Sequence, residues 1–215
     1  MQSFQFHELP SCDLVPSAVY LGGVGKGTKG EVISKLIRSS DGVTGIANVG
    51  GFRISGGNPL PRLVVLTSNG MRTEWPDKFN CESGVLTYFG DNKKSLDHLN
   101  TPRKGNRILS EVFSALTEGR LRREELPIFL HFEKYGRSKD WRFSGQFVPG
   151  APSIPKIEWL RLLKSNLGVP NFCATFQRLG TATITRPWLD DVLLDRNRLA
   201  RCTVEYKNWV FGETE

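Results

Sequence analysis

The sequence predicts an α+β fold in which a curved, mostly antiparallel sheet is flanked by a few helices. Three observations predict it. Candidate strands outnumber candidate helices, and they do not alternate with helices as βαβ units would. Apolar residues make up 39% of the chain and charged residues 24%, enough for a sizeable core. A length of 215 residues suits one domain, with residues 1–18 as an irregular N-terminal segment and 19–215 as the domain.

The elements follow in order. Val19-Tyr20-Leu21 begins ordered structure and Gly22-Gly23 breaks it, opening the loop GGVGKGTKG. Residues 31–37 place Val32, Ile33, Leu36 and Ile37 at helical spacing. GIANVGGFRIS (45–55) reads as a strand with a glycine kink, and RLVVLTS (62–68) as a strand without one. Residues 85–89 form another strand. In 106–117 the apolar Ile108, Leu109, Val112, Phe113 and Leu116 make one helical stripe, which Gly119 ends. PIFLHF (127–132) and WRFSGQFV (141–148) read as paired strands with a loop at Gly136, and 149–155 as a proline-rich turn. Residues 157–163 read as a short helix, 172–177 and 182–185 as short strands. Residues 187–194 form a helix with proline in its first turn.

Composition narrows the function. No apolar run approaches the roughly 18 residues of a membrane span. The start, MQSFQFHELPSCD, lacks the basic and apolar regions of a signal peptide, so a cytoplasmic protein is expected. Cys12, Cys81, Cys173 and Cys202 are scattered, as are His7, His98 and His131; neither a metal site, a disulfide framework nor a cofactor is expected. The net charge of +7 favours a polyanionic partner. Basic residues cluster at 26–29, 93–94, 103–107, 120–123 and 134–142, several within loops suited to a phosphate backbone. The glycine loop is not a nucleotide-binding loop: that motif would need Gly at 20 and Ser or Thr at 27, where Tyr20 and Gly27 stand.

The segment WPDKFNCESGVLTYFGDN (75–92) carries the most chemistry. Trp75 and the pair Tyr88-Phe89 bracket a turn at residues 81–84, and each has a carboxylate nearby, Asp77 and Asp91. Aromatic faces can sandwich one flipped nucleobase while a carboxylate accepts a hydrogen bond from its exocyclic amine. The same residues also suit core aromatics and turn-capping acids. Two alternatives compete with base recognition. One is a compact metal-dependent nuclease using Asp190 or Asp191 with Glu205 and Lys207, two carboxylates for a metal and a lysine for the attacking water. The other is a basic module for RNA or protein.

A resemblance sharpens this. YLGG (20–23), GIANVGGFR (45–53), LTS (66–68), WPD (75–77), YFGDN (88–92), KGN (104–106), PIFLHF (127–132) and FSGQFVPG (143–150) occur in this order. Together they resemble the N-terminal DNA-reading domain of modification-dependent restriction endonucleases of the MspJI and AspBHI type. TRPWLDDVLL (185–194) and EYKNWV (205–210) resemble the tail of that domain. The resemblance implies an SRA-like open barrel that holds a flipped 5-methylcytosine, or 5-hydroxymethylcytosine, from duplex DNA. It implies Trp75 and Tyr88 as stacking aromatics with Phe89 as a substitute. Asp91, beside Asn92, is the preferred reader of the base edge, with Asp77 the alternative. Lys26, Thr28 and Lys29 would probe the duplex, and Lys93, Lys94, Arg103 and Lys104 would meet its backbone. The family's nuclease domain lies beyond this region, so the chain is expected to bind and not to cut, with a nuclease domain or subunit as its partner. One buried methyl contributes roughly 0.8 kcal/mol, about fourfold in affinity, so pocket shape or a later step must supply further discrimination.

Overall fold

A computed structural model of the chain describes residues 1–25, 27–46, 50–70, 74–136 and 138–212. Among the described residues ten strands form one sheet. They are β1 (Ser3–Phe4), β2 (Val19–Tyr20), β3 (Phe52–Ser55), β4 (Leu63–Ser68), β5 (Lys78–Phe79), β6 (Val85–Phe89), β7 (Ile128–Lys134), β8 (Trp141–Pro149), β9 (Leu160–Lys164) and β10 (Pro170–Arg178). The helices are α1 (Val32–Leu36), α2 (Gly105–Thr117), α3 (Arg186–Leu193) and α4 (Val204–Phe211). The main path runs β3-β4-β7-β8-β10-β6-β5, with β9 on β10 and the β1–β2 pair on β8. The β4–β7 and β1–β2 pairs are parallel and the others antiparallel. This is the α+β, largely antiparallel architecture that the sequence predicts.

The sheet curls but does not close by a ladder, because β3 and β5 end the path. Side chains cross the remaining seam instead. The Tyr88 hydroxyl on β6 donates to the Gly51 carbonyl beside β3 at 2.7 Å. Asp77, just before β5, meets Ser68 at the end of β4. Helix α2 packs its apolar stripe on the sheet, with Phe113 edge-on to Phe176 of β10 at 5.5 Å. Burying each such aliphatic or aromatic side chain contributes roughly 1.5–3 kcal/mol.

Four of the expected segments differ in the structure. Residues 157–163 are not a helix: a single 3-10 turn (Lys156–Glu158) leads into β9, which completes the free edge of β10 over five residue pairs. That ladder outweighs a local helical pattern, because strand preference is set by available partners. Of 45–55 only Phe52–Ser55 is a strand, and 47–49 lie outside the described residues. Of 182–185 only Ile184 pairs, with Leu14. The N-terminal segment is largely turns as expected, but it contains β1, where Phe4 stacks on Tyr20 at 5.1 Å. Buried Arg186 ties that segment down, donating to the carbonyls of Leu9, Cys12, Leu36 and Arg38.

Candidate functional site

The turn at 81–84 behaves as its residues demand. Asn80 N donates to Val85 O at 2.9 Å and Gly84 N to Asn80 O at 2.9 Å, so β5 and β6 pair as a hairpin. The hairpin brings Trp75, Asp77 and Phe89 together. Trp75 is buried and its ring lies 5.3 Å from that of Phe89, tilted by 39°. Asp77 is half-buried beside them. Its Oδ1 accepts the Phe89 N–H at 2.9 Å and its Oδ2 the Ser68 hydroxyl at 3.1 Å. Two donors from two strands therefore fix the plane of this carboxylate.

Behind Ser68 sits a residue that sequence reasoning left unassigned. His131 of β7 is fully buried, and its Nε2 lies 2.9 Å from Ser68 Oγ. A bulge between His131 and Phe132 sets the local aim of the strand. Phe79 and Phe147 stand edge-on to the imidazole at 6.1 and 5.6 Å. Burial, with the charge of Arg142 adding to it, pushes the His131 pKa down to about 3, so the ring is neutral at physiological pH. A scattered histidine in PIFLHF carried no signal for this, since its partners come from β4 and the Asp77 turn.

Tyr88 is placed differently from Phe89. Successive residues of a strand face opposite ways, and in β6 Leu86 and Tyr88 are buried while Thr87 and Phe89 are half-buried. Tyr88, Phe52, Gly50 and Gly51 line a cavity of about 510 Å³, rimmed by Lys93, Lys94 and Arg103. Asp77, Trp75 and Phe89 do not line it.

Asp91 lines that cavity, but its oxygens are engaged. Oδ1 accepts from Thr101 Oγ1 at 2.7 Å and from Asn106 N at 3.0 Å, and Oδ2 accepts from Gly105 N at 3.2 Å. These are the free amides that open α2, whose N-cap residue Lys104 makes no side-chain cap bond. A carboxylate remote in sequence thus caps the helix and meets the positive end of its dipole. Gly105 permits the approach, since a Cβ there would lie 2.8 Å from Asp91 Cγ. Asn92 is equally occupied: its Nδ2 donates to Ser95 O at 2.8 Å and to Pro170 O at 2.6 Å, and its Oδ1 accepts from Ser95 N at 3.1 Å.

The basic residues divide between two loops. Thr28 and Lys29 are exposed in the glycine loop, while Lys26 lies outside the described residues. Lys139, from the β7–β8 loop, holds the glycine loop: its ammonium donates to Gly25 O at 2.6 Å, to Gly27 O at 3.0 Å and to Lys29 O. The loop closes on itself where Gly23 N meets Gly30 O at 3.1 Å, with Gly30 at φ +78°. Lys93, Lys94, Arg103 and Lys104 are all exposed around the start of α2.

The model of the restriction endonuclease AspBHI N-terminal family matches residues 14–215. The chain belongs to that family. It is 31% identical to the DNA modification-dependent restriction endonuclease AspBHI, with a TM-score of 0.86, over 99% of this chain and 97% of that one. It is 28% identical to the DNA recognition domain of the cytosine modification-dependent restriction endonuclease LpnPI, also with a TM-score of 0.86, over 100% of this chain and 94% of that one. MspJI, solved in complex with a 27-mer oligonucleotide, shares the fold at 19% identity and a TM-score of 0.59, over 89% of this chain and 47% of that one. No curated protein matches this chain. The resemblance read from eight short motifs is borne out.

Membership in the AspBHI N-terminal family makes the chain a recognition domain and sets the compact-nuclease alternative aside. The side chains agree. Both Asp191 oxygens are taken by Arg201 at 2.7 and 2.6 Å, and Asp190 accepts from Ser40 N at 3.0 Å. Asp190 and Asp191 are buried in α3, while Glu205 and Lys207 stand on α4, a helix that the sequence analysis did not anticipate. Among the described residues no group of three or more His, Cys, Asp or Glu side chains could hold a metal ion, and no helix is long and apolar enough to cross a membrane.

Proposed function

We propose that this domain recognises 5-methylcytosine, or 5-hydroxymethylcytosine, in duplex DNA by flipping the base into the seam between β4 and the β5–β6 hairpin. The observation that carries the proposal is Asp77: a half-buried carboxylate held by donors on both oxygens, with Trp75 and Phe89 beside it. An ionised carboxylate accepts hydrogen bonds and donates none. Cytosine presents its N4 amine to it and thymine a carbonyl, so an acceptor-only group selects cytosine. The relatives fit this reading, one being described as modification-dependent and another as cytosine modification-dependent.

Asp91, the residue that the motif favoured, is given up as the reader because three donors and a helix terminus already occupy it. Asn92 leaves the pocket for the same reason. Trp75 and Phe89 stand too close to admit a base between them as they are. A stacked base needs about 3.4 Å on each face, so their 5.3 Å separation must widen to roughly 6.8 Å. Stacking contributes about 1–3 kcal/mol per base, which offsets the cost of unstacking. Lys29, Lys93, Lys94, Arg103 and Lys104, with Lys26, supply phosphate contacts.

The deciding experiment is a titration with matched duplexes bearing cytosine, 5-methylcytosine or 5-hydroxymethylcytosine, with 2-aminopurine beside the target base. Tighter binding of a modified duplex, with brightening of the neighbouring 2-aminopurine, is expected. Affinity should fall with salt at a log–log slope near −0.9 per phosphate contact. Equal binding of all three duplexes, or tighter binding of single-stranded RNA, would reject the proposal.

A further inference from the structure

The arrangement behind Asp77 has a direction. Among the described residues His131 has one hydrogen-bond partner at Nε2, the Ser68 hydroxyl at 2.9 Å, and its buried Nδ1 has none. A buried N–H without an acceptor is rarer and more costly than an unpaired acceptor. The ring proton therefore belongs on Nε2, where it points at Ser68 Oγ. With its oxygen accepting from His131, the serine turns its own proton to Asp77 Oδ2 at 3.1 Å. The opposite tautomer would make Ser68 donate to the ring and leave Asp77 facing a lone pair. The imidazole cannot swing away, because Phe79 and Phe147 flank it and stand 5.4 Å apart.

We propose that Ser68 and His131 are positioning residues for base recognition: the Nε2–H tautomer of His131 orients the Ser68 hydroxyl, which fixes the Asp77 carboxylate toward the edge of a flipped cytosine. This rests on Asp77 being the reader. Neither residue touches the base; the pair acts through the carboxylate. It converts a flexible acid into one with a single orientation, which is what discrimination between an amine and a carbonyl at one base position requires.

The test compares duplexes with 5-methylcytosine or thymine opposite guanine. These bases share the 5-methyl group and differ at the edge that Asp77 would read. In the parent protein, ¹⁵N spectra should show His131 as the neutral Nε2–H tautomer; an Nδ1–H tautomer overturns the proposal without any variant. Ser68→Ala should lower the 5-methylcytosine-to-thymine preference roughly two- to tenfold, the range of one hydrogen bond. Ser68→Thr, which keeps the hydroxyl, should restore it. Asp77→Asn separates the two claims. If that variant keeps the parent preference, the reader assignment itself fails. If it loses the preference while a folded Ser68→Ala retains it, only the positioning role fails.

Discussion

Asp77 and Asp91 stand at opposite ends of one hairpin unit, each two residues from an aromatic side chain and each half-buried, yet they meet different surroundings. Asp91 meets the start of α2, where two backbone amides, the Thr101 hydroxyl and a helix dipole hold it. Asp77 lies where the curled sheet fails to close, and an amide and a hydroxyl from two strands meet its oxygens. The lesson is that what holds an acid follows from its neighbours in space. The sharper motif belongs to the acid that caps a helix.

The comparison makes four predictions, from the largest effect to the smallest. Asp77→Asn preserves shape but adds an amide donor that thymine can accept. The preference for 5-methylcytosine over thymine should fall roughly tenfold or more, the scale of a charged hydrogen bond of about 1.5–3 kcal/mol. Competition binding measures it, and an unchanged ratio would break the contrast. Asp91→Ala should instead cost about 1–2 kcal/mol of stability, as the loss of a helix cap does, and leave that ratio unchanged. Urea unfolding beside the same binding assay sharpens the division.

Acid should weaken the seam through His131. Its folded pKa lies near 3 and its ordinary value near 6.5, so the unfolded chain takes up a proton first as pH falls. The stabilisation from a neutral ring is complete above pH 6.5 and is lost progressively toward pH 3, at no more than about 1.4 kcal/mol per pH unit. Urea midpoints of the parent and His131→Gln should converge across that window. Parallel curves would show that His131 does not contribute the difference. Lys139→Ala should have the smallest effect. Freeing the glycine loop from its three carbonyl contacts should reduce duplex affinity a few-fold, about 1 kcal/mol, equally for modified and unmodified DNA. A selective loss for one duplex would place the loop nearer the base than the geometry does.

Much of this architecture was legible because local rules were obeyed. Thr185 and Arg186 begin α3 where the proline pattern indicates, and the α2 stripe is buried as its period requires. The β5–β6 hairpin forms around its Asn-to-Gly turn. Residues 157–163 misled because a helical period and an edge strand differ only in what lies alongside. α4 went unread as a helix although Thr203 caps it and Tyr206 and Trp209 share a buried face.

By itself, the sequence determined the fold class and the family. Each depends on short-range order: apolar period, turn residues, and motifs in a fixed succession. Only the tertiary structure decided which donors meet each acid and what stands behind them. Asp91 is engaged by amides of a helix that begins well downstream of it, and Asp77 by a serine on another strand that in turn meets a histidine on a third. Hydrogen-bond saturation is a property of neighbours in space. The donors that a carboxylate meets are therefore set when the sheet curls.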